Sequence, residues 1–186
     1  MKNETHNTAI VVIPPEDIWG PIQAIRQKHD SKARRWMPHI TLIYPFGPES
    51  DFGRAAEELA PACKAIRPFD VELATFRTFN HGKGYHTIWL APEPERPLGD
   101  LHAEVWTAVS WQDAFEPDIE RFEPHLSVGQ ARGTVNAVKL IQKLQADWTP
   151  IRFPVLSVHL ISRGNRPDDA FRIVQSLPLQ GVPSVD

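Results

Sequence analysis

Two histidines in this chain head near-identical pentapeptides, Pro38-His39-Ile40-Thr41-Leu42 and Pro124-His125-Leu126-Ser127-Val128. Each imidazole is followed two positions later by a hydroxyl. In an extended strand successive side chains alternate faces, so His39 and Thr41 project together while Ile40 and Leu42 point into a core. The same holds for His125 with Ser127 against Leu126 with Val128. Two imidazoles and two hydroxyls suit in-line chemistry at a phosphodiester, which needs a base on the attacking oxygen and an acid on the leaving oxygen across phosphorus. Imidazole titrates near ~6.5, so at neutral pH one ring can be the free base and the other the imidazolium. The hydroxyls of Thr41 and Ser127 would donate to the non-bridging oxygens, where charge builds in the transition state. Such a pair predicts a bell-shaped pH dependence with both limbs within about two units of neutrality.

The bare triplet is a weak signal. Eight histidines and 17 Ser/Thr in 186 residues give roughly 0.7 accidental matches to His-x-Ser/Thr. The chain has two further matches, His6-Asn7-Thr8 and His29-Asp30-Ser31, each with a polar middle residue and no preceding proline. Only the copies at 39 and 125 share the longer pattern of proline, histidine, apolar, hydroxyl, apolar, and they fall at similar places in the two halves.

The elements that must carry them follow from periodicity and punctuation. Thr8 to Ile13 reads as a buried strand, Glu16 to His29 as a helix, and His39 to Tyr44 as the first motif strand. Phe52, Ala56, Leu59, Cys63 and Ile66 mark a second helix, expected to kink or restart at Pro61. Phe69 to Phe79 and His86 to Ala91 form a hairpin across the turn Asn80 to Gly84. Glu93 to Pro97 is a stiff linker dividing the chain into halves of about 1–93 and 94–180. A third helix follows, from Leu98 to near Trp111, and then an acidic stretch, Gln112 to Glu123, read as a solvated face. The second motif strand, His125 to Gln130, precedes a helix opened by Gly133-Thr134 and closed by Trp148 and Pro150. Ile151 to Ser162 reads as a long strand broken or bent near Pro154, with Phe171 to Leu177 as its partner. Both halves thus repeat motif strand, turn, helix and hairpin, as in a duplication within one domain spanning 1–180; 181–186 reads as a loose tail.

Composition narrows the function classes. With 41% hydrophobic residues the chain can bury a real core, and a formal net charge of -3 argues against a non-specific nucleic-acid coat. A local phosphate site stays open: the basic run Lys28, Lys32, Arg34 and Arg35 precedes the first motif, although a solvated loop is the plainer reading. The single cysteine, Cys63, matches no metal spacing, and a reducing compartment is expected. No apolar run reaches the ~20 residues of a membrane span, so a soluble cytoplasmic monomer is the expectation. His81, His86 and His159 lack the motif context and read as structural. No His-x-His, Cys-His cluster, Walker glycine loop or Gly-x-Ser-x-Gly occurs, so the chemistry is expected to need neither metal nor cofactor.

The paired histidine-hydroxyl strands resemble the two-histidine (2H) phosphoesterase superfamily, which includes the 2′-5′ RNA ligase-like proteins and cyclic nucleotide phosphodiesterases. The closing Val158-His159-Leu160-Ile161-Ser162-Arg163 with Phe171 to Leu179 is similar to that family's last hairpin. The resemblance implies an α+β bilobal fold, two antiparallel sheets flanking a central cleft, with helices outside. It also implies metal-independent hydrolysis of 2′,3′-cyclic phosphates or 2′-5′ linkages on a nucleotide or RNA end, with His39 as proton donor and His125 as acceptor. The residues themselves do not choose between those roles. Some ligase-like members carry an arginine where this chain has Gln130, which tells against ligation here. A nucleotide-binding module without turnover and a 2′-5′ RNA ligase are the alternatives. Tyr44 and Tyr85 are candidates for stacking a base, and Arg35 and Arg163 for holding a phosphate.

Overall fold

Thr8–Val12 (β1), a run of small and β-branched residues buried along its whole length, is the strand from which the first sheet is built outward. The computed structural model describes residues 5–109, 122–166 and 169–181. Ile40–Ile43 (β2) pairs with one edge of β1 and Ser157–Ser162 (β7) with the other, and Arg172–Pro178 (β8) continues beyond β7. All pairs are antiparallel. Ile10 and Val12 join the main core, whereas Ala9 and Val11 on the opposite face pack with Ile161, Phe171 and Trp36. Both faces of β1 are therefore covered, which is why its sequence is apolar throughout rather than alternating.

The second sheet grows from the hairpin of Phe69–Asn80 (β3) and Tyr85–Glu93 (β4). Leu126–Arg132 (β5) adds to β4 and Ile151–Val155 (β6) to β3, giving the order β5-β4-β3-β6, again antiparallel. Each motif strand is an edge strand, β2 in one sheet and β5 in the other, and these two edges pack together where the sheets meet.

Among the described residues four α-helices connect the strands: Trp19–His29 (α1), Phe52–Ala65 (α2), Arg96–Ala108 (α3) and Thr134–Asp147 (α4). Pro21 and Pro97 sit in the first turns of α1 and α3, where a missing N–H breaks no intrahelical bond. The first helix of each unit crosses over. α1 leaves β1 of the first sheet yet packs on β5 of the second, while α3 leaves β4 of the second sheet and packs on α2 and β2 of the first. α2 covers β7 and β8, and α4 covers β3, β4 and β5. The result is an α+β bilobal fold whose lobes exchange a helix.

Three expectations change on inspection. The break expected near Pro154 falls at Leu156, which is 52% exposed, and the two pieces of Ile151 to Ser162 belong to different sheets, with Pro154 inside β6. Because β6 is an edge strand, that proline costs no ladder bond and causes no break. α2 does not restart at Pro61 but continues as one helix through it, with the proline on its exposed face. Of the presumed tail, Gly181 is tied down by its N–H to the Ile66 carbonyl at 2.9 Å, and 182–186 lie outside the described residues. The acidic stretch up to 121 and Trp111 lie outside them too. Among the described residues no helix is long and apolar enough to cross a membrane.

Candidate active site

Alternation along the motif strands places the four motif side chains as the pattern demands. Ile40, Leu42, Leu126 and Val128 are buried, whereas His39, Thr41, His125 and Ser127 are half-buried. Both histidines stand one residue before their strand and are held in the same way. Nδ1–H of His39 donates to the Met37 carbonyl at 2.7 Å, and Nδ1–H of His125 donates to the Glu123 carbonyl at 2.9 Å. A carbonyl can only accept, so the neutral rings carry their proton on Nδ1 and leave Nε2 as the basic nitrogen.

The ring environments differ. His39 stacks on Trp36 with centroids 4.6 Å apart and planes 19° from parallel, and Trp36 stacks in turn on Phe171 at 3.7 Å. His125 meets Phe79 edge-on at 4.9 Å and Trp89 at 5.9 Å, two rings that stack on one another. Burial among these rings disfavours the imidazolium. It lowers His39 to about 4, against the raising effect of the Met37 carbonyl, with Arg26 and His125 depressing it further. His125 is also lowered by burial, offset by the Glu123 carbonyl and carboxylate and reinforced by His81. In the free protein His39 therefore titrates below the window of two units around neutrality that an unperturbed imidazole would give.

Each motif strand carries a bulge at the residue after its hydroxyl. Val11 pairs with Thr41 and Ile10 with Ile43, leaving Leu42 unpaired; Trp89 pairs with Ser127 and Ile88 with Gly129, leaving Val128 unpaired. Residues three apart in a regular strand face opposite ways, and the extra residue restores parity. Tyr44 thus returns to the side of Thr41, and Gln130 to the side of Ser127. All four line a cavity of about 190 Å³ between the lobes.

His39, Arg35 and Arg163 line the same cavity, together with Lys32, Arg26, Asp30, Trp36, Thr87 and Phe171. His125 is not among the lining side chains, although its charge acts on His39. Tyr44 is 43% exposed and its ring meets Trp36 edge-on. Tyr85 does not line the cavity; its ring lies under the Arg132 guanidinium, 4.6 Å away. Three other histidines are engaged locally: His86 between the hydroxyls of Thr78 and Thr134, His81 with Thr87, and His159 with Ser176. Among the described residues no group of three or more His, Cys, Asp or Glu is placed to hold a metal ion.

Arg26 and Asp30 were missed in the sequence, although a signal was there. Arg26 continues the apolar stripe of Ile18, Ile22 and Ile25, and a cation on a buried stripe calls for a partner. It is only 2% exposed and is paired with Asp30 at 3.0 Å. Phe171, 135 residues along the chain from Trp36, had no local signal.

Residues 14–167 match the family model of the 2′-5′ RNA ligase superfamily. A phosphoesterase-like protein of Geobacillus kaustophilus, GK0864, is 30% identical over 122 residues, 65% of this chain and 67% of that protein. A phosphoesterase-like protein of Geobacillus thermodenitrificans is 27% identical over the same length. Among solved structures, LigT of E. coli with 3′-AMP superposes with a TM-score of 0.65 at 16% identity, covering 94% of this chain and 98% of that one. TT0787 of Thermus thermophilus superposes with a TM-score of 0.62 at 18% identity and the same coverage.

Proposed function

Because the chain belongs to the 2′-5′ RNA ligase superfamily, the 2H phosphoesterases, and shares their fold, we propose that it is a metal-independent phosphodiesterase that opens 2′,3′-cyclic phosphates, or cleaves 2′-5′ linkages, at a nucleotide or RNA end. The observation that carries this reading is the matched mounting of His39 and His125. Each ring is fixed through Nδ1 to the carbonyl two residues back, on two edge strands that pack together, so that both Nε2 atoms are left to exchange protons.

In the reaction a water attacks phosphorus as one histidine takes its proton, and the P–O bond to the leaving ribose oxygen breaks as the other supplies a proton to it. The product is a phosphomonoester with a free hydroxyl. The family resemblance assigns the donor role to His39 and the acceptor role to His125. Thr41 and Ser127 donate to the non-bridging oxygens. Burial keeps both rings neutral in the empty cleft at pH 7. An arriving phosphate anion favours the imidazolium, so substrate itself recruits the proton that the leaving oxygen needs. Arg35, Lys32 and Arg163 on the cavity wall supply charge for the phosphate. Tyr44, exposed at the cavity, is the ring against which a base would stack; Trp36 has its faces taken by His39 and Phe171. LigT was crystallised with 3′-AMP, ATP and NADP+, which supports a nucleotide as the ligand class here.

Turnover of 2′,3′-cyclic nucleotides and of short RNAs with a 2′,3′-cyclic end, in excess EDTA, tests the proposal. His39→Ala and His125→Ala are each expected to lower kcat by about 10² or more. Undiminished rates in both variants would overturn the mechanism, and saturable binding with no product from the wild-type protein would make it a binding module.

A further inference from the structure

Gln130 is delivered to the cleft by the bulge at Val128 and by the close approach of α1 to β5, and its side chain is then held from several directions. Its Oε1 accepts from the Ser31 N–H at 2.9 Å and from the Ser31 hydroxyl at 3.1 Å, which uses both acceptor sites of the amide. Its Nε2 donates one hydrogen to Asp30 Oδ1 at 2.9 Å. Reversing the amide would set an NH₂ against the Ser31 N–H and an oxygen against a carboxylate, so the orientation is fixed by chemistry. Asp30 in turn accepts from Arg26 Nε and Nη2, both at 3.0 Å, and from the Lys32 N–H at 2.9 Å. Four donors saturate that carboxylate, and the Arg26 charge is balanced where it lies. One N–H of Gln130 remains without a partner among the described residues, on a side chain that lines the cavity with His39, Thr41 and Ser127.

We infer that Gln130 tunes charge specificity: its remaining N–H is a neutral donor for a non-bridging oxygen of a singly charged phosphodiester, and it adds no further cation to the grip that Arg35, Lys32 and Arg163 exert on a doubly charged phosphomonoester. An amide donates almost as well to a monoanion as to a dianion, whereas a guanidinium gains with each added charge and binds a phosphomonoester through two parallel bonds. Hydrolysis raises the charge on phosphate from one to two. A neutral residue at this position therefore adds nothing to the preference for product that the cations of the wall create, and release is faster than it would be with a guanidinium there. The inference rests on the hydrolase reading, and it makes the cleft a turnover site for phosphodiesters rather than a capture site for phosphorylated ends.

The test compares Gln130→Met, Gln130→Glu and Gln130→Arg with the wild type. It measures KM and kcat for a 2′,3′-cyclic nucleotide, inhibition by the 2′- and 3′-monophosphates, and affinity for cyclic and ring-opened nucleotides by calorimetry with His39→Ala protein. Methionine, which keeps the volume and loses the donor, should raise KM about tenfold with a smaller change in kcat. Glutamate, which keeps the contact to Ser31 but sets a second carboxylate beside Asp30, should raise KM further. Arginine should tighten monophosphate inhibition about tenfold relative to KM. A purely structural glutamine would shift KM and inhibition together, so an unchanged ratio in Gln130→Arg, or an unchanged KM in Gln130→Met, would overturn the inference. If the wild-type protein turns over nothing, the hydrolase reading fails alone. Calorimetry then decides the specificity claim: a cyclic-to-monophosphate affinity ratio that falls in Gln130→Arg upholds it, and one that does not move refutes it.

Discussion

At the scale of residues, the two histidines were legible because the proline, the flanking apolar positions and the hydroxyl repeat as a unit, and strand alternation says where each must point. Their ionisation was not legible. Unperturbed imidazoles would titrate together near ~6.5, whereas burial against Trp36 takes His39 down to about 4 and also lowers His125. Since kcat/KM reports the free protein and kcat the complex, the two pH profiles should separate. A bound phosphate anion raises both histidines, so the bell for kcat should be centred at higher pH than the bell for kcat/KM. Steady-state kinetics on a 2′,3′-cyclic nucleotide from about pH 4 to 9 measures this, and coincident bells would contradict the burial argument.

At the scale of elements, the strands and helices were readable from periodicity, but what sets the cleft wall is the fit of α1 against β5. Gly129 faces His29 so closely that a Cβ there would lie 2.8 Å from the His29 Cβ and 3.1 Å from its carbonyl oxygen. Neither neighbour is the tip of a flexible side chain, so α1 would have to move. Gly129→Ala should cost about 1 to 3 kcal/mol in urea unfolding, and it should lower kcat/KM because the end of α1 carries Asp30 and Ser31. Gly99, inside α3 with no atom within 4 Å of the added methyl, makes the contrast. Gly99→Ala should leave activity alone and stabilise by up to about 1 kcal/mol through the chain entropy lost to the unfolded state. A destabilised Gly99→Ala together with a neutral Gly129→Ala would reverse the packing account.

At the scale of the whole molecule, the exchanged helices α1 and α3 bind each sheet to an element that starts from the other, and the buried histidines make that assembly sensitive to acid. The folded His39 sits at about 4 against an ordinary value near ~6.5, so between those limits the unfolded chain holds a proton that the folded one refuses. Stability from this source is complete above about pH 6.5 and is lost as the pH falls towards 4, on the order of 2 to 3 kcal/mol. His102 and His159, also lowered by burial, act in the same direction. Urea unfolding at about pH 7 and pH 4.5 should show the loss, and His39→Gln, which cannot titrate, should lose less. An equal loss in the variant would remove His39 from the account.

The sequence by itself determined the motif strands, the histidines with their hydroxyls and most helix and strand spans, because each rests on local periodicity or a repeated unit, and it reached the α+β class through the family resemblance that those motifs carry. Tertiary structure alone decided that Ile151 to Ser162 splits between two sheets and that Tyr85 stands away from the cavity while Tyr44 lines it. It also decided that bulges at Leu42 and Val128 turn Tyr44 and Gln130 toward the cavity, and that Arg26 and Asp30 brace that glutamine. The reason is common to all of these. A bulge, a strand's choice of sheet and the partner of a buried charge depend on residues far away along the chain, and no local pattern encodes them.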